Sequence, residues 1–191
     1  GKKFDGVITV NGKGRSKGKE TLKIENVNFE TAHSIDTKES EWTFISAPSK
    51  INNVYNYSHN VTIENCTFKN TVDGNKRVGS ASFTGTYNFV MKNCTATNMH
   101  SLLQTQSCDN TVYVENVNAV DCKSGVSFGN TAYPTIKNST IDAIAYGIRA
   151  DGNASRGNLV AENVTINASQ PIIVRKTVKA GYSIALANVA L

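Results

Sequence analysis

The chain has 191 residues, 39% of them hydrophobic and 18% charged, with a formal net charge of +5. That length suits one domain with a core of its own. The charged share lies below the roughly 25% of an average domain, and no apolar run is long enough for a transmembrane helix. Residues 1–20 hold six basic groups against Asp5 and Glu20, so they carry +4 and the other 171 residues only +1. A nucleic-acid groove needs cations along one face with aromatics between them. No nucleic-acid partner and no membrane insertion are therefore expected. Gly12, Gly14 and Gly18 precede Lys19, but three residues separate Gly14 from Gly18 and Glu20 follows the lysine. That spacing is not a phosphate-binding loop.

Asparagine is the anomaly, with 23 copies, and many fall in one recurring phrase. In chain order the phrase reads Leu22-Lys-Ile-Glu-Asn26-Val, Val61-Thr-Ile-Glu-Asn65-Cys, Phe89-Val-Met-Lys-Asn93-Cys, Val112-Tyr-Val-Glu-Asn116-Val, Pro134-Thr-Ile-Lys-Asn138-Ser, Leu159-Val-Ala-Glu-Asn163-Val and Ile184-Ala-Leu-Ala-Asn188-Val. The asparagines stand 39, 28, 23, 22, 25 and 25 residues apart. The first two units carry polar insertions, about 31–59 and 71–80, and the first contains Trp42, Tyr55 and Tyr57.

Each phrase alternates apolar and polar with period two, which predicts a strand. A second short alternation follows each of the first six asparagines, as in Val27/Phe29 and Cys66/Phe68. A third apolar patch comes later in the unit: Phe44-Ile45, Ala81-Ser-Phe83, Leu102-Leu103, Val126-Ser-Phe128, Ile148-Arg-Ala150 and Ile172-Ile-Val174. No stretch has helical period. Three short strands in a unit of about 23 residues predict one coil of a parallel β-helix, and the whole chain about seven coils.

The residue before each asparagine runs Glu25, Glu64, Lys92, Glu115, Lys137, Glu162, alternating in sign from Glu64 onward. An exposed stack requires this, because like charges directly opposite repel. Asn26, Asn65, Asn93, Asn116, Asn138, Asn163 and Asn188 are expected to form a structural ladder at a bend, where asparagine tolerates left-handed backbone. Asn60, Asn65, Asn93, Asn138 and Asn163 also head Asn-x-Ser/Thr triplets; the ladder explains most of them, and glycosylation is not the expectation. Cys66, Cys94, Cys108 and Cys122 form no CxxC pair, so no zinc site is predicted. Cys66 and Cys94 hold the same inward position in adjacent coils and are expected first as small core residues and second as a strained disulfide. His33, His59 and His100 are expected in solvent-facing turns.

The phrase Val61-Thr-Ile-Glu-Asn65-Cys-Thr-Phe, with the later pairs Gly125-Val126 and Gly147-Ile148, resembles the repeat of the pectin-lyase-like superfamily. The resemblance spans about residues 5–191 and implies an all-β, single-stranded right-handed parallel β-helix. That superfamily includes polysaccharide lyases, polygalacturonases, phage tailspikes and surface adhesins. The Asn-Thr-Asp, Asp-Asp, Gly-His-Gly and Arg-Ile-Lys signatures of polygalacturonases are missing here. If the chain is an enzyme, a lyase-like reaction fits better than hydrolysis by a carboxyl pair.

Taking alternate positions of the third strand as outward, one column reads Ile45, Ser82, Leu103, Ser127, Arg149, Ile173. Its neighbour reads Ala47, Thr84, Thr105, Gly129, Asp151, Arg175. Arg149 and Arg175 are the candidate catalytic bases, abstracting a proton beside a carboxylate-bearing carbon. Asp151, Lys176, Trp42, Tyr55 and Tyr57 are the candidate substrate-binding residues. No metal ligand is assigned and no cofactor is established, although the resemblance leaves calcium open. The expected partner is an acidic polysaccharide and the expected location extracellular, or a cell or virion surface. The competing expectation is a non-catalytic spike or adhesin. Residues 1–191 are expected to form one β-helix domain cut from a longer chain, with further coils or partner subunits at its ends.

Overall fold

The computed structural model describes residues 3–10, 21–32, 42–52, 54–55, 58–72, 78–131, 133–151, 158–175 and 182–191, with the backbone alone at 42, 51, 54–55 and 58–59. The described residues contain no α-helix. The Asn phrases stack as sheet one: Thr21–Glu25, Ser58–Glu64, the later halves of Val78–Lys92 and Ser101–Glu115, the openings of Pro134–Asp151 and Leu159–Asn167, and Ile184–Ala190. Every neighbour in this sheet is parallel, with Val61 opposite Leu22 and Phe89, and Val112 opposite Phe89 and Pro134. Sheet two begins with Lys3–Phe4, Asn28–Thr31, Thr67–Asn70 and Thr95–Thr97. Sheet three runs from Ile8–Thr9 and Trp42–Ala47 through the later coils to Gln170–Val174. The chain visits the three sheets in turn and makes about six full turns, in line with the expected coil count.

Within the stretch 31–59 the expected third-strand patch Phe44-Ile45 is in place. Trp42–Ala47 is a rung of sheet three, paired with Val78–Phe83. Among the described residues only Lys50–Ile51 and Val54–Tyr55 pair antiparallel, as a small two-stranded sheet of their own.

The seven ladder asparagines turn the chain from sheet one into sheet two with φ between 49° and 58°. Short polar side chains make that backbone affordable. Their amides then tie coils together: Asn93 Nδ2 donates to Asn65 Oδ1 at 2.9 Å, and Asn116 Nδ2 to Asn93 Oδ1 at 2.7 Å. Asn163 donates to Asn138, and Asn188 to Asn163, each at 3.0 Å. Asn138 itself steps aside and donates to Glu115 Oε1 at 3.4 Å. Beside this column Lys92 meets Glu115 at 3.1 Å, and Lys137 pairs with Glu162. The like-charged first rungs, Glu25 and Glu64, share Lys23.

The core is a set of inward columns. Phe29 and Phe68 stack with centroids 4.9 Å apart and planes 6° apart, and Phe44 leans on both. Burying each such side chain contributes roughly 2–3 kcal/mol. Cys66 and Cys94 are stacked neighbours, since Thr67 lies opposite Thr95, and all four cysteines are buried free thiols. Each thiol donates to the carbonyl two residues back, Cys66 Sγ to Glu64 at 3.3 Å and Cys94 Sγ to Lys92 at 3.1 Å, and the adjacent Cys66 thiol together with burial holds Cys94 above its ordinary range. Burial pushes Cys108 up to about 11. In the same inward column Ser139 replaces a thiol, and its hydroxyl donates to the Lys137 carbonyl and accepts from the Val117 amide. His100 departs from expectation: it is buried, and its backbone N–H donates to the Val78 carbonyl at 2.7 Å.

Candidate functional site

The corner leading into sheet three decides which side chains reach solvent. There two consecutive side chains face the core, as at Phe44-Ile45, Ser80-Ala81 and Leu102-Leu103. The corner tightens along the stack until Gly125 lies over Gly147, where a Cβ on Gly125 would sit 2.2 Å from the Gly147 carbonyl oxygen. Alternation resumes only after the second member of each pair. The outward column is therefore Ser46, Ser82, Gln104, Ser127, Arg149, Ile173.

This corrects the expected columns in two coils. Ile45 and Leu103 are 0% exposed, and Ala47 and Thr105 are 1% and 3% exposed, so all four belong to the core. A one-residue slip in counting moves a strand's whole side-chain set to the other face. Gln104 and Gln106 take the outward places. The sequence signal was available, because the doublet Leu102-Leu103 aligns with Gly125-Val126 and Gly147-Ile148.

The outward residues line an open groove of about 330 Å³ along the solenoid axis. Amides and hydroxyls form its floor and one wall: Ser82, Thr84, Gln104, Gln106, Ser127 and Asn130. Arg149, Asp151 and Arg175 close one end. Arg149 Nη2 lies 2.6 Å from Asp151 Oδ2, and Arg175 Nε lies 3.2 Å from Asp151 Oδ1. The Arg149 guanidinium rests 4.9 Å above the Tyr146 ring, a contact that fixes its plane. Its Nε is buried with no hydrogen-bond partner among the described residues. Arg175 differs, its side chain being 58% exposed. The arrangement presents planar donors beside a row of neutral hydrogen-bonding groups.

Arg149, Asp151 and Arg175 thus converge as the columns require. Trp42 pairs through its backbone with Val78, and Tyr55 lies in the small two-stranded sheet. Tyr57 and Lys176 lie outside the described residues, as do the side chains of Trp42 and Tyr55. Gln104, Gln106, Asn130 and Tyr146 went unread in the sequence. No group of three or more His, Cys, Asp or Glu able to hold a metal occurs among the described residues. A second depression of about 420 Å³ on sheet two is lined by Asn28, Thr67, Thr95 and Thr97, but there Glu30 pairs with Lys3 and lies opposite Lys69 in the register.

No curated protein and no solved structure matches the chain. A family model described as the right-handed β-helix region matches residues 15–188. The parallel three-sheet solenoid and this match agree, and the chain belongs to the right-handed β-helix family.

Proposed function

We propose that this β-helix module binds an acidic polysaccharide laid along the groove of sheet three. One observation carries the reading: a shallow row of amides and hydroxyls leads into a bracket of two arginines around one aspartate. Sugar hydroxyls pair with amides and hydroxyls, and a guanidinium fork matches a carboxylate in two parallel hydrogen bonds. The open floor suits an extended polymer better than a compact metabolite, which takes a deep apolar pocket. Arginine side chains stay protonated in proteins and are poor proton acceptors. Holding an anion is therefore the role that Arg149 and Arg175 fill best, ahead of proton abstraction. Polymers of this kind are met outside cells, so the proposal carries an extracellular or surface location with it.

The test is a panel of soluble acidic and neutral polysaccharides, with calcium and with chelator, read by calorimetry and by ultraviolet absorbance for unsaturated ends. Binding of an acidic member that falls tenfold or more in Arg149→Ala supports the reading. A panel with no binding ends it, and turnover that dies with Arg149→Ala would restore the lyase.

A second reading, a structural spike or adhesin joined to further coils or subunits, rests on Val174 and Leu186. These apolar side chains of the last rungs are 47% and 48% exposed. Sedimentation showing a stable trimer, together with an empty panel, would favour it.

A further inference from the structure

Among the described residues that line the groove, charge is confined to one end. Ser82 and Thr84, then Gln104 and Gln106, then Ser127 and Gly129 form three successive rungs without a formal charge. Thr9 and Ser46 extend the same outward column in the earlier coils, also without charge. Arg149 and Asp151 follow on the next rung and Arg175 after them, so the bracket sums to +1. Five rungs at about 4.8 Å span about 19 Å, room for about four sugar units at roughly one per rung.

From this we infer, resting on the polysaccharide reading above, that the groove selects a glycan neutral along its length with one acidic group over Arg175 and Arg149, and selects against a chain charged at every sugar. A carboxylate over Gln104 or Ser82 gives up hydration and meets no cation. A carboxylate at the bracket meets a net charge of +1, which it neutralises. Arg175 is the selecting residue: its side chain is 58% exposed and meets Asp151 through Nε at 3.2 Å, whereas the Arg149 side chain is 25% exposed and held between Asp151 and the Tyr146 ring. The first rungs then recognise hydroxyls, and the last two recognise charge.

Calorimetric titration with two sets of tetrasaccharides tests this. One set is tetragalacturonate, its derivative keeping a single terminal carboxyl, and its fully carboxyl-reduced form. The other is xylotetraose and a xylotriose bearing one glucuronate. In at least one set the singly acidic member is expected to bind ten times more tightly than the neutral one, with tetragalacturonate no tighter than its singly acidic derivative. Arg175→Ala should shrink the acidic-to-neutral ratio to twofold or less with neutral binding still measurable, whereas misfolding would abolish both affinities together. Affinity that climbs with each added uronate overturns the inference and leaves the acidic-polysaccharide reading standing. Absence of binding in both sets also overturns the inference, and the reading itself falls only if the polysaccharide panel is empty as well.

Discussion

Replacing Asn93 separates the two jobs of a ladder asparagine. Its backbone sits at φ 52°, its Nδ2 donates to Asn65 Oδ1 at 2.9 Å, and its Oδ1 accepts from Asn116 Nδ2 at 2.7 Å. Alanine loses both side-chain bonds and adds left-handed strain. Glycine loses the same bonds but sits at that φ without a Cβ clash. The two bonds lie in exposed surroundings, so they contribute at the low end, roughly 0.5 kcal/mol each. Left-handed alanine costs about 1–2 kcal/mol. Asn93→Ala should therefore destabilise by about 2–3 kcal/mol and Asn93→Gly by about 1 kcal/mol. Urea unfolding followed by circular dichroism reads both, with midpoints compared at equal slope. A changed slope would show the coils uncoupling into separate transitions. Alanine and glycine variants equal within about 0.3 kcal/mol would refute the strain assignment, and losses under about 0.5 kcal/mol in both would refute the ladder's contribution.

Gly125→Ala places a Cβ 2.2 Å from the Gly147 carbonyl oxygen and 2.6 Å from Ile141 Cγ2, so a loss of about 3 kcal/mol is expected by urea unfolding. Gly129→Ala is the control: its Cβ meets nothing closer than 3.4 Å, and a change within about 0.5 kcal/mol is expected. The Lys92 hydrogen bond holds the Glu115 carboxyl below its usual range, and in return Glu115 raises Lys92. The Glu115 contribution is present above the ordinary carboxylate pKa and lost as pH falls through its lowered value. The Lys92 contribution is present below the ordinary lysine range and lost as pH rises through its raised value. Melting temperatures of wild type and Glu115→Gln should thus differ slightly at neutral pH and converge in acid and in 1 M salt. A gap that persists in acid would contradict the assignment.

The parts legible in the sequence were those that repeat with a fixed neighbour. Asn65, Asn93 and Asn116 each sit in the same apolar-charged-Asn-apolar pattern, so strand, bend and stacking direction could be read together. The sign alternation at Lys92, Glu115 and Lys137 was legible for the same reason. The outward face of sheet three was harder, because Leu102 and Leu103 both point inward and break the period-two count. Gln104 and Gln106 were hidden by that slip. A second ladder also escaped notice: Asn88 donates to Asn60 at 2.8 Å and Asn110 to Asn88 at 2.7 Å. It occupies the corner between sheets three and one, where no common phrase surrounds the asparagine. His100 follows Met99 into a corner that turns inward, a placement set by the neighbouring coils and not by its own flanks.

The groove itself is tested most directly by nitrogen-15 resonance mapping during titration with the acidic polysaccharide that binds most tightly. Shifts are expected at the side-chain amides of Gln104, Gln106 and Asn130 and at the Nε–H of Arg149 and Arg175, with the amides of Asn93 and Asn116 unmoved. Shifts confined to the Lys92 and Lys137 face of sheet one, or none at saturating ligand, would contradict a binding site on sheet three.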